Sequence, residues 1–176
     1  LDEVKGRLLA AREPDRSPES IVACGYEVPP PRERYDAWLD RNRWTDRASE
    51  ELRARLAAAS APLPKISVVM PVYDQPVDLL DRAIESVLDQ VYPNLELCVA
   101  DDASPGPAVR ECLTGWAERD RRVRVVFREA NGGISEATNT AAAIATGELL
   151  AFVDADDEIS PDALGEVALY VAAHPE

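Results

Sequence analysis

The chain contains a single histidine, His174, and only two lysines, Lys5 and Lys65. A lone imidazole this close to the last residue argues against a histidine-based zinc site and against a Ser-His-Asp triad. Cysteine is almost as sparse: Cys24, Cys98 and Cys112 stand far apart, with no C-x-x-C pair. An odd, scattered set argues against a disulfide scaffold and for a reducing, cytoplasmic compartment. Cys98, inside the apolar run LELCVA, reads as a small buried thiol. No apolar run approaches the ~20 residues of a membrane span, and the opening residues do not follow the pattern of a secretory signal. Positive charge is short as well. The 176 residues carry a formal net charge of −14, and residues 65–176 hold 8 basic against 21 acidic side chains. Such a surface repels nucleic acid and anionic lipid, so an anionic ligand would need a cation between itself and the protein.

What is present divides at about residue 64. Residues 1–64 are nearly neutral, with 11 basic and 12 acidic side chains, and read as a helical and irregular N-terminal extension. A short helix is expected over Leu1–Arg12, then a stiff polyproline-like stretch at EVPPPRE. A helix is expected next from Glu33 to Ala59, rich in helix formers and salt-bridge partners. Its Tyr35, Trp38 and Leu39 repeat at helical spacing and are expected to pack the helix onto the main domain.

From Lys65 the pattern alternates strand and helix. ISVVMPVY, LELCVA, VRVVF and LLAFV are short, β-branched or apolar runs of the kind found in strands buried on both faces. Between them lie PVDLLDRAIESVLDQ, with an apolar helical stripe, PAVRECLTGWAERD, and NGGISEATNTAAAIATG, an alanine-rich helix with a glycine stop at Gly147. PDALGEVALYVAAH comes last, with proline at a helix start. Repeated β-α units predict an α/β fold, a mostly parallel Rossmann-like sheet with helices on both faces. Ligands then bind beyond the carboxyl ends of the strands. Three segments meet that rule: Pro71-Val72-Tyr73-Asp74, Asp101-Asp102 and Asp154 to Asp157.

The last of these is a D-x-D-D motif at the end of a buried strand. Clustered carboxylates repel one another, and an oxygen-only donor set suits Mg²⁺ or Mn²⁺, whose shells are completed by water and substrate phosphate. The bland alternative is a solvated acidic loop leading into a helix. Asp101-Asp102 reads either as a turn with side chains on nearby amides or as a hydrogen-bonding pair for a base or ribose. Asn131-Gly132-Gly133 could present backbone N–H groups to an anion at a helix start. Arg128 reads as a phosphate contact or a surface charge.

Taken together, ISVVMPVYDQPVDLLDRAIESVLDQVYPNLELCVADDAS and NGGISEATNTAAAIATGELLAFVDADDEISPDAL strongly resemble the family-2 glycosyltransferases of the GT-A fold. Four motifs stand in the family's order over about residues 65–176. YDAWLDRN resembles a helical extension of bacterial members that build surface polysaccharide. The resemblance implies a metal-dependent inverting transferase that moves a sugar from a nucleoside-diphosphate donor to a glycan or other acceptor. Tyr73 would pack on the base, Asp102 would bond its edge with Asp101 beside it, and Asp154 and Asp156 would hold Mn²⁺ or Mg²⁺, with Asp154 also toward the ribose. The family usually has Asn in place of Asp74.

The family's general base and acceptor site are expected beyond Glu176, which makes residues 65–176 the donor-binding portion of a longer domain. That portion alone is expected to be inactive and to self-associate as a homodimer through uncovered sheet surface. The longer protein is expected in the cytoplasm, peripherally associated with the inner membrane face. Two other classes compete with this reading. A phosphoryl-transfer domain with a nucleophilic Asp fails on particulars: receiver-like domains need a lysine after the acidic motifs, and haloacid-dehalogenase-like phosphatases need Thr or Val where Glu158 stands. A non-catalytic nucleotide-sugar-binding module remains the alternative.

Overall fold

The computed structural model describes residues 31–174. The expected helix at 1–12 and the proline segment up to residue 30 lie outside the described residues. The chain forms two compact units, Leu1–Arg43 and Trp44–Glu176.

In the first unit, helix α1 spans Pro31–Asn42. The residues from Pro31 to Glu33, expected as polyproline, open this helix instead, because proline's fixed φ suits a first helical turn, where its missing N–H is not needed. The Tyr35 and Trp38 rings stack with centroids 6.4 Å apart. Tyr35, Trp38 and Leu39 are all exposed.

The single helix expected over 33–59 is broken at Arg43-Trp44-Thr45, and a second helix, α2, runs from Asp46 to Ala57. Thr45 is extended and its hydroxyl accepts the Ala48 N–H at 3.2 Å. Trp44 Nε1 donates to Ser49 Oγ at 2.8 Å. A threonine cap satisfies amides that a continuing helix would have bonded, so it starts a new helix. The compact unit therefore begins at Trp44, ahead of the composition boundary near 64, and α2 belongs to it through the buried Leu52.

Four parallel strands form the sheet: β1 (Ile66–Val72), β2 (Leu95–Asp101), β3 (Val123–Phe127) and β4 (Leu149–Phe152). Their order is β3-β2-β1-β4. Between them run α3 (Val77–Leu88), α4 (Pro107–Arg119) and α5 (Ile134–Ala143), and α6 (Ala163–Ala173) comes after β4. The period of two along each strand sends alternate residues to opposite faces. Ile66, Val68, Met70 and Val72 of β1 join Leu95, Leu97 and Val99 of β2 in the larger core, packed on Leu80, Ile84 and Val87 of α3. On the other face Val69 and Ala100 meet Ala137 and Ala141 of α5. Alanines let that helix lie close to the sheet. Beyond it the same face of β4 is uncovered, and Leu150 and Phe152 are 46% and 65% exposed.

Two expected helix ends move. Pro161 stands before α6 rather than inside it, and α5 stops at Ala143, short of Gly147. Gly147 serves a different need. A Cβ there would come within 2.7 Å of Lys65 O, Ser67 N and Ser67 Oγ, so only glycine lets this loop lie against the start of β1.

Beside it, at the amino edge of the sheet, Glu96 is buried. Its carboxylate accepts from Lys65 Nζ (2.8 Å), Ser67 Oγ (2.6 Å) and Thr146 N (2.6 Å). Burial opposes the charge, but these hydrogen bonds win and hold the carboxyl down at about 2. Burial also raises the thiols of Cys98 to about 11 and Cys112 to about 12, so neither is a thiolate nucleophile near neutral pH.

Candidate functional site

Because all four strands run the same way, their carboxyl ends share one edge, and β1 and β4 flank the point where strand order reverses. A cavity of about 460 Å³ opens there. Pro71, Val72 and Tyr73 reach it from the end of β1, Asp102 from β2, Asn131 and Gly133 from the loop before α5, and Asp154 and Asp156 from the loop after β4. Asp102 and Asp156, 54 positions apart in the chain, thus meet at one sheet edge.

Each contributor is placed by its element. Tyr73 follows the last residue of β1 and is half exposed. Asp102 follows β2, is 2% exposed, and its own N–H donates to Val72 O at 2.8 Å, which ties the two strand ends together. Its carboxylate accepts from Gly132 N at 3.0 Å and Gly133 N at 2.7 Å. The amides at the start of α5, expected to await a ligand anion, are therefore occupied by a protein carboxylate, which suits the positive end of a helix. Gly133 adopts φ 82, a left-handed conformation that aims its N–H at Asp102 and favours glycine. Arg128 Nε lies 2.7 Å from Asp102 Oδ1 as a charge contact without the alignment of a hydrogen bond. The same guanidinium donates to Glu136 O at 3.1 Å and to Thr140 Oγ1.

Three of the expected site residues do not line the cavity: Arg128, Gly132 and Asp101. Arg128 and Gly132 face the Asp102 carboxylate. Asp101 is 1% exposed, and its Oδ1 accepts from the Ser104 N–H and hydroxyl. Its reading as a turn residue fits this geometry.

Asp154 and Asp156 are exposed on the cavity wall, while Ala155 between them is buried. Among the described residues, neither carboxylate has a hydrogen-bond or ion-pair partner, and no third Asp, Glu, His or Cys joins them in a metal-binding cluster. Glu158 is drawn away toward Arg82 at 3.7 Å. Two unpartnered hard oxygen donors facing a cavity fit a cation that takes its remaining ligands from water and substrate oxygens.

Gln75, Ile134, Ala137 and Ala155 also line the cavity. Ile134 and Ala137 lie three residues apart on the first turn of α5. That spacing comes from the helix period, but only the fold shows which side of α5 faces the site.

A parallel sheet of order 3-2-1-4, with its polar side chains gathered at the carboxyl edge, defines the doubly wound class of α/β domain. Within that class, the sequence profile of Glycosyl transferase family 2 matches residues 67–176, and the chain belongs to that family. The O-antigen biosynthesis protein RfbC of Myxococcus xanthus is 38% identical over 149 residues, covering 84% of this chain and 11% of RfbC. The protein y4gI of Sinorhizobium fredii is 52% identical over 113 residues, covering 64% of this chain and 12% of its own length. This chain therefore spans only a small part of these relatives. Among solved structures, the mannosyltransferase PcManGT of Pyrobaculum calidifontis, in complex with GDP-Man and Mn²⁺, superposes with a TM-score of 0.57 at 25% identity, over 72% of this chain and 39% of that one. S. aureus TarS 1-349 in complex with UDP gives 0.56 at 28% identity, over 62% and 32%. The fold is that of the GT-A glycosyltransferases. No described helix is long and apolar enough to cross a membrane.

Proposed function

We propose that this chain is the donor-binding part of a metal-dependent, inverting glycosyltransferase that uses a nucleoside-diphosphate sugar. The observation that carries this is the pair Asp154 and Asp156, unpartnered among the described residues on the wall of a cavity shared with Tyr73 and Asp102. The half-exposed ring of Tyr73 offers a face for a base to stack on. Asp102, held by two amides and Arg128, keeps a fixed acceptor at the same wall. Asp154 and Asp156 would hold Mn²⁺ or Mg²⁺. That cation, when bound, offsets the charge that develops on the departing nucleoside diphosphate. The solved mannosyltransferase in complex with GDP-Man and Mn²⁺ supports this donor and metal class.

Inverting transfer needs a general base for the acceptor hydroxyl. Each carboxylate lining the cavity already has a donor-side role, so we assign the base to chain beyond Glu176. The same observation favours a second reading for residues 1–176 alone, a nucleotide-sugar-binding module without turnover. The names of RfbC, an O-antigen biosynthesis protein, and of the succinoglycan biosynthesis protein ExoW of Rhizobium meliloti support a glycan acceptor; we place the parent protein in the cytoplasm, at the inner membrane face.

A thermal-shift screen of UDP and GDP, each with and without Mn²⁺, tests the reading. Ligand at ~100 times Kd contributes about 2.7 kcal/mol through RT ln(1 + [L]/Kd), a shift of several degrees. Stabilisation by one of the two nucleotides only when Mn²⁺ is present supports the reading. No shift with either, at any metal concentration, overturns it.

A further inference from the structure

Two residues other than glycine have a left-handed backbone among the described residues, Asp74 with φ 50 and Ala103 with φ 60. Each directly follows a residue of the cavity wall, Asp74 after Tyr73 and Ala103 after Asp102. Such a conformation is unfavourable for residues with a Cβ, and for alanine no polar side chain compensates. Strain of this kind persists only where neighbouring structure over-determines it.

Ser104 supplies that structure. Its hydroxyl oxygen accepts the Asp74 N–H at 2.9 Å, and its hydroxyl hydrogen is donated to Asp101 Oδ1. The Ser104 N–H reaches the same carboxylate oxygen at 3.2 Å. Asp101, buried at the end of β2, is itself fixed at its carbonyl by the Arg128 N–H at 2.9 Å. One hydroxyl thus joins the loop after β1 to the loop after β2, beside the strained residue of each.

We infer that Ser104 and Asp101 are positioning residues for the nucleotide: through the Asp74 amide they set the separation of the Tyr73 ring from the Asp102 carboxylate. Neither touches the cavity. They act by holding in register the two groups that would grip one base from its face and its edge. The conclusion rests on the donor-site reading above and adds a role that reading does not require. Alanine at 104 removes the acceptor of the Asp74 amide and one donor to Asp101, which frees the β1 loop to relax toward ordinary φ values. The two wall groups then hold the base in register only part of the time, and affinity falls by the fraction of time they do.

The test compares the full chain with Ser104→Ala and Ser104→Thr. Kd for UDP and GDP is measured with Mn²⁺ by calorimetry, alongside hydrogen exchange at the Asp74 amide. For whichever nucleotide the wild type binds, Ser104→Ala should raise Kd about tenfold, as for loss of one well-placed hydrogen bond, and Asp74 exchange should accelerate. Ser104→Thr, which keeps the hydroxyl, should restore both to within about twofold of wild type. A purely structural role would lower the melting temperature and leave Kd where it was, because a modest loss of global stability leaves nearly every molecule folded. Equal Kd in wild type and Ser104→Ala, or unchanged Asp74 exchange, overturns the inference alone. Failure of the wild type to bind either nucleotide overturns the donor-site reading and the positioning role with it.

Discussion

Replacing Glu96 by glutamine removes the buried charge that joins β2 to the start of β1 and to the Thr146 loop. Its carboxyl is held at about 2 against an ordinary 4.5. At about 1.36 kcal/mol per pKa unit, that difference corresponds to about 3 kcal/mol favouring the ionised form in the folded state. The Lys65 side chain, a main contributor, is 34% exposed, so solvent screening brings the expected value nearer ~2 kcal/mol. The sign comes from linkage. A carboxyl depressed by folding adds stability fully present above its unfolded value, and that stability is lost as pH falls through the folded one. Urea unfolding of wild type and Glu96→Gln from pH 7 to pH 2 should therefore show a gap of about 2 kcal/mol that is constant above about pH 5 and closes between about 4.5 and 2. Subtracting one curve from the other cancels the remaining carboxylates. A gap independent of pH over that interval would refute the claim that the Glu96 charge, rather than its packing, joins these elements.

Two further outcomes are expected from the fold. Gly147→Ala places a methyl within 2.7 Å of backbone atoms at Lys65 and Ser67, and denaturant unfolding should show a loss of about 3 kcal/mol; a loss below about 0.5 kcal/mol would mean the loop does not lie against β1. Leu150 and Phe152 leave apolar surface on β4, so the chain should self-associate with rising concentration in light scattering, and Phe152→Ser should reduce that association; a strictly monomeric wild type would remove this face as a contact surface.

Much of the α/β unit was legible because its signals are local. Four apolar runs sat between helical stripes, and the rule for parallel sheets sent Tyr73, Asp102, Asp154 and Asp156 to one edge without any knowledge of distances. What stayed hidden depends on partners remote in sequence. Asn131-Gly132-Gly133 has the local chemistry of an anion site, but nothing near it shows that the anion is Asp102, thirty positions earlier. Arg128 looks like a free cation until β2 and β3 are set side by side. Gly147 resembles a helix stop because its real constraint, the backbone of Lys65 and Ser67, lies eighty residues away. The break at Thr45 was readable in principle, since a capping threonine precedes Asp46, but helix formers on both sides masked it. Composition moved the unit boundary to 64, whereas packing of Leu52 carries it back to Trp44.

Asp156 is proposed to supply a cation ligand for a nucleoside diphosphate in the cavity at the carboxyl edge. Calorimetric titration of UDP and of GDP into wild type and Asp156→Asn, each with and without Mn²⁺, addresses it directly. Asp156 is exposed and has no protein partner among the described residues, so the substitution should leave the fold and its melting temperature unchanged. Nucleotide binding should strengthen at least about tenfold with Mn²⁺ in the wild type, and show no such strengthening in Asp156→Asn. Equal metal enhancement in the two proteins would contradict it.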